Sequence, residues 1–322
     1  MVRPRAVVTA AVIALTAVAA PALTASGTPA SVVVEHWRGY SGPFHKTHDA
    51  NRIVVVPMAD ANDGKALQLQ LRARPGIGPR QGVEIASNNP GFRYGRFSTR
   101  MKTANCTGQK RAGVVTGVLT YSPDDSDANG NGLPDNHEID IEVLCGQPEV
   151  VWMSLWTDYD ELTDTPRRIS RAVNLRAGTV IYNCYLLTWL GRCEPLLPGE
   201  NSPTALTPVP GFNSATQFHS YTFDWQPNRV RFCLTDAQGR RILLWDYEGP
   251  ASRIPQKPSM FLQNVWHTRT WNPFNGPSRN QPKRVTSAYL DSTTVPRWTT
   301  VPNWASSAAP TISSIPGRVI NQ

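Results

Sequence analysis

Apolar and polar residues alternate with period two in short runs along much of the chain. Ala66-Leu67-Gln68-Leu69-Gln70-Leu71 is the cleanest of them. Alternation of this kind puts one set of side chains on each face of an extended strand. The same pattern predicts strands over Arg96 to Lys102, Thr116 to Tyr121, Glu138 to Leu144, Val150 to Thr157, Ser220 to Trp225, Arg229 to Leu234 and Met260 to His267. Turn-forming pairs such as Pro75-Gly76, Pro90-Gly91 and Pro210-Gly211 punctuate these runs. No long stretch carries a helical period, and no internal repeat is visible. Many short strands divided by turn signals predict an all-β fold, a sandwich or jelly roll.

The two ends depart from this pattern. Arg3 and Arg5 precede a nearly unbroken apolar run from Ala6 to Ala20, and Ala20-Pro21-Ala22 offers a small-x-small cleavage site. Such a segment reads as an export signal over residues 1–30. It is short for a membrane span, which needs about 20 apolar residues. Residues 298–322 are rich in Pro, Ser, Thr and Ala and read as a tail that Trp298 and Trp304 could dock. The expected layout is therefore a signal peptide, a β domain over 31–297 that is large enough for a sizeable core, and a tail. The expected location is extracellular.

The chain has 32 basic and 24 acidic residues, a formal charge of +8. Loss of Arg3 and Arg5 with the leader leaves an excess of six. No basic stripe is interleaved with aromatics, which argues against nucleic acid as a partner. The five cysteines are Cys106, Cys145, Cys184, Cys193 and Cys233. Export makes disulfides plausible. Cys184 with Cys193 is the first expected pair and Cys106 with Cys145 the second, leaving Cys233 as a buried thiol in a strand. None has metal-type spacing.

The most informative segment is His137-Glu138-Ile139-Asp140-Ile141-Glu142-Val143-Leu144. On a strand, Glu138, Asp140 and Glu142 share one face, while Ile139, Ile141 and Val143 enter the core on the other. Same-face neighbours lie only about 7 Å apart, so three like charges repel. Glycoside hydrolysis would use such a row. A retaining enzyme needs a nucleophilic carboxylate and a carboxylic acid roughly 5–5.5 Å apart. The α-carbons of Glu138 and Glu142 would be about 13 Å apart, a gap two glutamates leaning inward on a concave strand could close. The spacing alone also suits a solvated acidic edge strand or a calcium site.

The segment 137–142 is similar to the Glu-x-Asp-x-Glu signature of glycoside hydrolase family 16, in the form found in lichenases and xyloglucan transglycosylase/hydrolases. Three more stretches resemble the family in the expected order: Tyr94-Gly95-Arg96-Phe97, Phe218-His219-Ser220-Tyr221-Thr222-Phe223-Asp224-Trp225, and Asn264-Val265-Trp266. Together they span roughly residues 65 to 295. The resemblance implies a concanavalin-like β-jelly roll with a cleft across its concave face. It implies Glu138 as nucleophile, Asp140 as assisting carboxylate, Glu142 as acid/base, retention of configuration and no catalytic metal. Where lichenases have a Trp just before the motif, this chain has Leu133-Pro134-Asp135-Asn136, after an enlarged loop.

Ten tryptophans suit a saccharide ligand, since indole rings match the apolar C–H faces of sugars. Trp152 and Trp156 fall on one strand face, and Trp271 lies beside a matched strand. Trp156, Trp225, Asn264, Trp266 and His267 are the substrate-binding candidates, with about half of all the tryptophans expected in the core. Asp127, Asn129, Asn131 and Asp135 alternate around Gly130 and Gly132. They read either as an Asx/Gly-rich turn or as the first part of a structural calcium loop. No other cofactor is expected.

The expected activity is hydrolysis of a β-glucan in the 1,3/1,4 range by a monomer, with a polysaccharide as its only partner and no membrane association after leader cleavage. The same carboxylates could run transglycosylation. A non-catalytic lectin would keep the aromatics but would have no use for Glu138 and Glu142, and a structural cell-wall protein would have no use for the clustered charge.

Overall fold

Valine, isoleucine, threonine and aromatic residues on alternating positions suit a pleated, half-buried surface, and the chain builds two antiparallel sheets from them. The computed structural model describes residues 32–38, 44–88, 91–124, 126, 136–158, 167–187, 192–269 and 280–296. The leader, the calcium-loop candidates Asp127, Asn129, Asn131 and Asp135, Trp271 and the 298–322 tail lie outside them.

One sheet contains β1 (Val32–Glu35), β3 (Ile53–Pro57), β4 (Lys65–Leu71), β6 (Gly95–Lys102), β13 (His219–Gln226), β14 (Arg229–Thr235), β15 (Arg241–Tyr247) and β17 (Thr286–Pro296). Its order is β15-β14-β13-β6-β17-β4-β3, with β1 also paired to β17. The other contains β2 (Phe44–His48), β5 (Gly78–Ser87), β7 (Val114–Ser122), β8 (His137–Leu144), β9 (Val150–Asp158), β10 (Arg167–Asn174), β11 (Thr179–Leu187), β12 (Arg192–Glu194) and β16 (Met260–His267). Its order is β12-β11-β10-β9-β8-β7-β16-β5-β2. This is the concanavalin-like β-jelly roll that the acidic motif implied. All eight strands predicted from alternation are present.

The core lies between the sheets. Ile139, Ile141 and Val143 of β8 are fully buried in it, with Val83, Val118, Met153 and Ile169 from the same sheet. Phe97 of β6 stacks on Phe223 at 4.9 Å and on Phe261 of β16 at 5.4 Å, joining the two layers. A polar bridge also crosses the core: Gln263 Nε2 donates to Thr99 Oγ1 at 2.5 Å and to Thr293 Oγ1 at 2.7 Å. Both expected disulfides form, Cys106–Cys145 and Cys184–Cys193, and Cys233 is a buried free thiol.

His219 opens β13 and is 1% exposed, with its ring 4.6 Å from that of Phe212. Burial drives its imidazole down to about 4, although the Asp236 carboxylate pulls the other way. The fold thus holds a neutral ring, whereas the unfolded chain takes up a proton near pH 6.5. Stability from this residue is complete above about pH 6.5 and falls as the pH drops towards 4, by up to about 3 kcal/mol. Burial also lowers His267, which adds to the same slope. Urea denaturation of His219→Gln across this range is expected to give a flatter loss of stability than the parent shows.

Candidate active site

β8 sits inside the nine-stranded sheet, hydrogen-bonded to β7 on one side and β9 on the other. Alternation sends its isoleucines into the core, so its three carboxylates must stand on the outer face. Glu138, Asp140 and Glu142 are 4%, 1% and 4% exposed. The solvated-edge-strand reading is therefore wrong: this strand is central and its three carboxylates are buried.

Cross-strand register lays out the surroundings. Glu138 lies between Tyr121 and Trp156, Asp140 between Leu119 and Ser154, and Glu142 between Gly117 and Trp152. Trp156 Nε1 donates to Asp140 Oδ2 at 2.7 Å. The Arg168 guanidinium lies over the Trp156 ring at 4.9 Å, a cation–π contact. Asp140 is therefore held from the side by an indole whose own position is fixed by packing.

Glu138 and Glu142 open into the same pocket, a narrow one of about 30 Å³ that is also lined by His48, Arg80, Glu84, Asn264 and Trp266. The structure thus brings together the two glutamates, Asn264 and Trp266. Trp156 is 2% exposed and acts on Asp140 rather than lining this pocket. Trp266 joins Trp152, Val115, Leu144, Val150 and Ala172 in an apolar cluster separate from the main core.

Two substrate-binding candidates are placed elsewhere. Trp225 belongs to the other sheet, is 0% exposed in the main core and donates from Nε1 to the Pro255 carbonyl at 2.8 Å. Its large apolar ring fills the sandwich. His267 has the parity of Val265, which packs in the main core, so it turns away from the face that carries Asn264 and Trp266. It is 0% exposed, with Nδ1 3.4 Å from the Gly76 carbonyl.

Sequence reasoning missed Glu84, a fourth carboxylate on this face. It is 4% exposed on β5. A bulge between Lys46 and His48 in β2 brings two consecutive residues to it. Thr47 Oγ1 donates to Glu84 Oε1 at 2.8 Å, and His48 Nδ1 lies 3.2 Å from the same oxygen. Asn264 Nδ2 donates to Oε2 at 3.2 Å. In the sequence it is a single acid between Val83 and Ile85, in a strand buried on both faces, and so gives no alternating signal of the kind that marked β8.

Gly117 is a second missed residue. In register, Asn264, Gly117 and Glu142 are successive members of one row across β16, β7 and β8. A Cβ on Gly117 would stand 2.6 Å from Asn264 Oδ1, closer than any real contact allows. The absent side chain leaves room for the Asn264 amide beside Glu142.

Residues 48–189 and 198–289 match the sequence model of Glycosyl hydrolases family 16. A beta-glucanase of Bacillus subtilis (strain 168) is 24% identical over 177 residues, 55% of this chain and 48% of that protein. A beta-glucanase of Bacillus licheniformis is 33% identical over 57 residues, 18% of this chain and 20% of that protein. The chain thus spans less than half the length of these relatives. Among solved structures, the apo Crh5 transglycosylase has a TM-score of 0.50 at 17% identity, covering 84% of this chain and 85% of that one. The kappa-carrageenase of Pseudoalteromonas carrageenovora, in complex with an oligotetrasaccharide of kappa-carrageenan, also reaches 0.50, at 11% identity over 84% and 97% of the two chains. At these identities the likeness is one of fold.

Two substitutions separate the cleft from the core. Gly117→Ala is expected to displace Asn264 and lower kcat/KM at least about tenfold with a stability change of about 1–3 kcal/mol, the usual range for overpacking. Trp225→Ala is expected to cost about 3–5 kcal/mol with KM unchanged in the folded fraction. Steady-state kinetics beside urea titration reads both.

Proposed function

The chain belongs to glycosyl hydrolases family 16, and from that premise we propose that it is a secreted, retaining endo-β-glycosidase acting on a β-glucan of the 1,3/1,4 range. One observation carries the reading: Glu138 and Glu142, four residues apart on a central strand, line the same pocket. The named beta-glucanase relatives support the substrate class. The apolar start of the chain and its two disulfides support export.

In this mechanism the Glu138 carboxylate attacks the anomeric carbon while Glu142 gives its proton to the departing glycosidic oxygen. A covalent glycosyl–enzyme forms and the aglycone leaves. Glu142, now ionised, takes a proton from an incoming water, whose oxygen displaces Glu138 and restores the original configuration. Asp140 sits between the two. Its Oδ2 accepts from Trp156 Nε1, which fixes the carboxyl group on the strand face. Asn264 and Trp266 line the same pocket and supply a hydrogen-bonding amide and an apolar surface for the sugar. A sugar hydroxyl in place of water would convert hydrolysis into transglycosylation through the same intermediate.

Glu138→Gln keeps the side chain's shape and removes the nucleophile. Its kcat on lichenan is expected to fall at least about 10³-fold with glucan binding retained. Undiminished turnover in this variant would refute the assignment. Analysis of parent products with added oligosaccharide acceptor distinguishes hydrolysis from transfer.

A further inference from the structure

The charge of this chain is concentrated in one place. Four segments, 72–81, 103–114, 266–269 and 280–286, contain Arg72, Arg74, Arg80, Lys110, Arg111, Arg269, Lys283 and Arg284 and no acidic residue. The whole chain has 32 basic and 24 acidic residues, an excess of eight. Without Arg3 and Arg5 of the leader the excess is six, so these eight cations exceed it and leave 22 basic against 24 acidic residues in the rest of the mature chain.

The segments are joined in space. Arg74 N donates to the Pro282 carbonyl at 2.8 Å, Asn280 N to the Arg111 carbonyl at 2.8 Å and Thr268 N to the Gly113 carbonyl at 2.8 Å. Arg284 Nη2 donates to the Thr107 carbonyl at 2.9 Å, and Lys283 N to Gln109 Oε1 at 2.8 Å. Seven of the eight side chains are exposed, Arg111 being half-buried. Among the described residues, none of those seven makes an ion pair, whereas cations elsewhere, such as Arg96, Arg229 and Arg253, are paired with carboxylates. Like charges gathered without counter-ions oppose folding. Two of these arginines also adopt left-handed backbone, Arg74 at φ 50° and Arg111 at φ 58°. Such strain costs about 1–3 kcal/mol and gathers at functional positions.

The patch is not flat. Lys110 and Arg111 line a pocket of about 500 Å³ together with Asn105, Gln109, Asn213 and Thr216. That volume is within the range of small-molecule sites. Its lining offers the Asn105 and Asn213 amides and the Thr216 hydroxyl for sugar oxygens beside the exposed Lys110 ammonium for an acidic group. At the other end of the patch, Arg80 lines the pocket that holds Glu138 and Glu142. Guanidinium forks match carboxylate and sulfate oxygens in pairs.

We propose that this basic surface, with the Lys110–Arg111 pocket at its centre, is a second carbohydrate site that holds an acidic polysaccharide, one bearing carboxylate or sulfate groups, alongside the cleft. The surface runs into the pocket that holds Glu138 and Glu142, which favours a glycan over nucleic acid. The inference goes beyond the cleft activity and rests on that reading for its choice of a glycan.

The test measures binding of Glu138→Gln full-length protein by biolayer interferometry. Polygalacturonate and dextran sulfate are compared with methyl-esterified pectin and dextran, so backbone is constant and only charge changes. Binding to either charged polymer but not to its neutral counterpart is expected, weakening at least about tenfold as salt rises from about 50 to about 200 mM. Lys110→Glu with Lys283→Glu is expected to lower affinity at least about tenfold, and Lys65→Glu, an exposed charge reversal on the other sheet, less than about twofold. If the double variant does not fold, Lys110→Glu alone is read the same way. No binding at low salt, equal weakening by Lys65→Glu, or tighter binding to duplex DNA or phosphatidylglycerol vesicles overturns the proposal.

Discussion

Side chains on an extended strand alternate between two faces, and β8 uses both. Ile139, Ile141 and Val143 anchor it in the core, and that anchoring determines where Glu138, Asp140 and Glu142 must point. A slip of one residue would bury three carboxylates in the sandwich and turn the isoleucines outward. Register is therefore strongly specified, and the spacing of the acidic groups follows from the packing of their apolar neighbours. Hydrogen bonding to β7 and β9 on both edges leaves the strand little freedom to adjust.

The surrounding face extends the same logic. Each neighbouring strand contributes one residue to a row: His48, Glu84, Asn264, Gly117, Glu142 and Trp152 lie in register across six strands. Residues remote in sequence are thus brought beside one another by pairing alone. The small member, Gly117, matters as much as the polar ones because it sets how near Asn264 stands to the acidic strand.

The sequence was legible where one face of a strand is apolar and the other polar. β4 and β8 announce themselves in this way. β5 did not, because six of its residues from Gly82 to Ser87 are buried on both faces, so alternation is hidden. β10 was masked by Arg168 and Arg171, whose charges suggest a surface although both are buried. Burial lowers the Arg171 guanidinium to about 10, and its terminal nitrogens reach Asn201 and the Pro203 carbonyl. The acidic triplet could be read from spacing, but Trp225 and His267 could not be told from cleft residues. Both sit on strands next to real motif positions, and only the parity of their neighbours and the identity of their sheet decide the matter. Glu84 escaped notice because a lone carboxylate carries no pattern until its partners Thr47, His48 and Asn264 are brought around it.

The Cys184–Cys193 bridge ties β11 to β12, a strand of only three residues that ends the nine-stranded sheet. A strip so short has few ladder bonds of its own, and the covalent link keeps it in register against its neighbour. With the bridge open, nothing but those few bonds would shield the β11 margin, whose bare amides and carbonyls would then be free to recruit another copy. The bridge therefore bears on association between copies as well as on the folding of one.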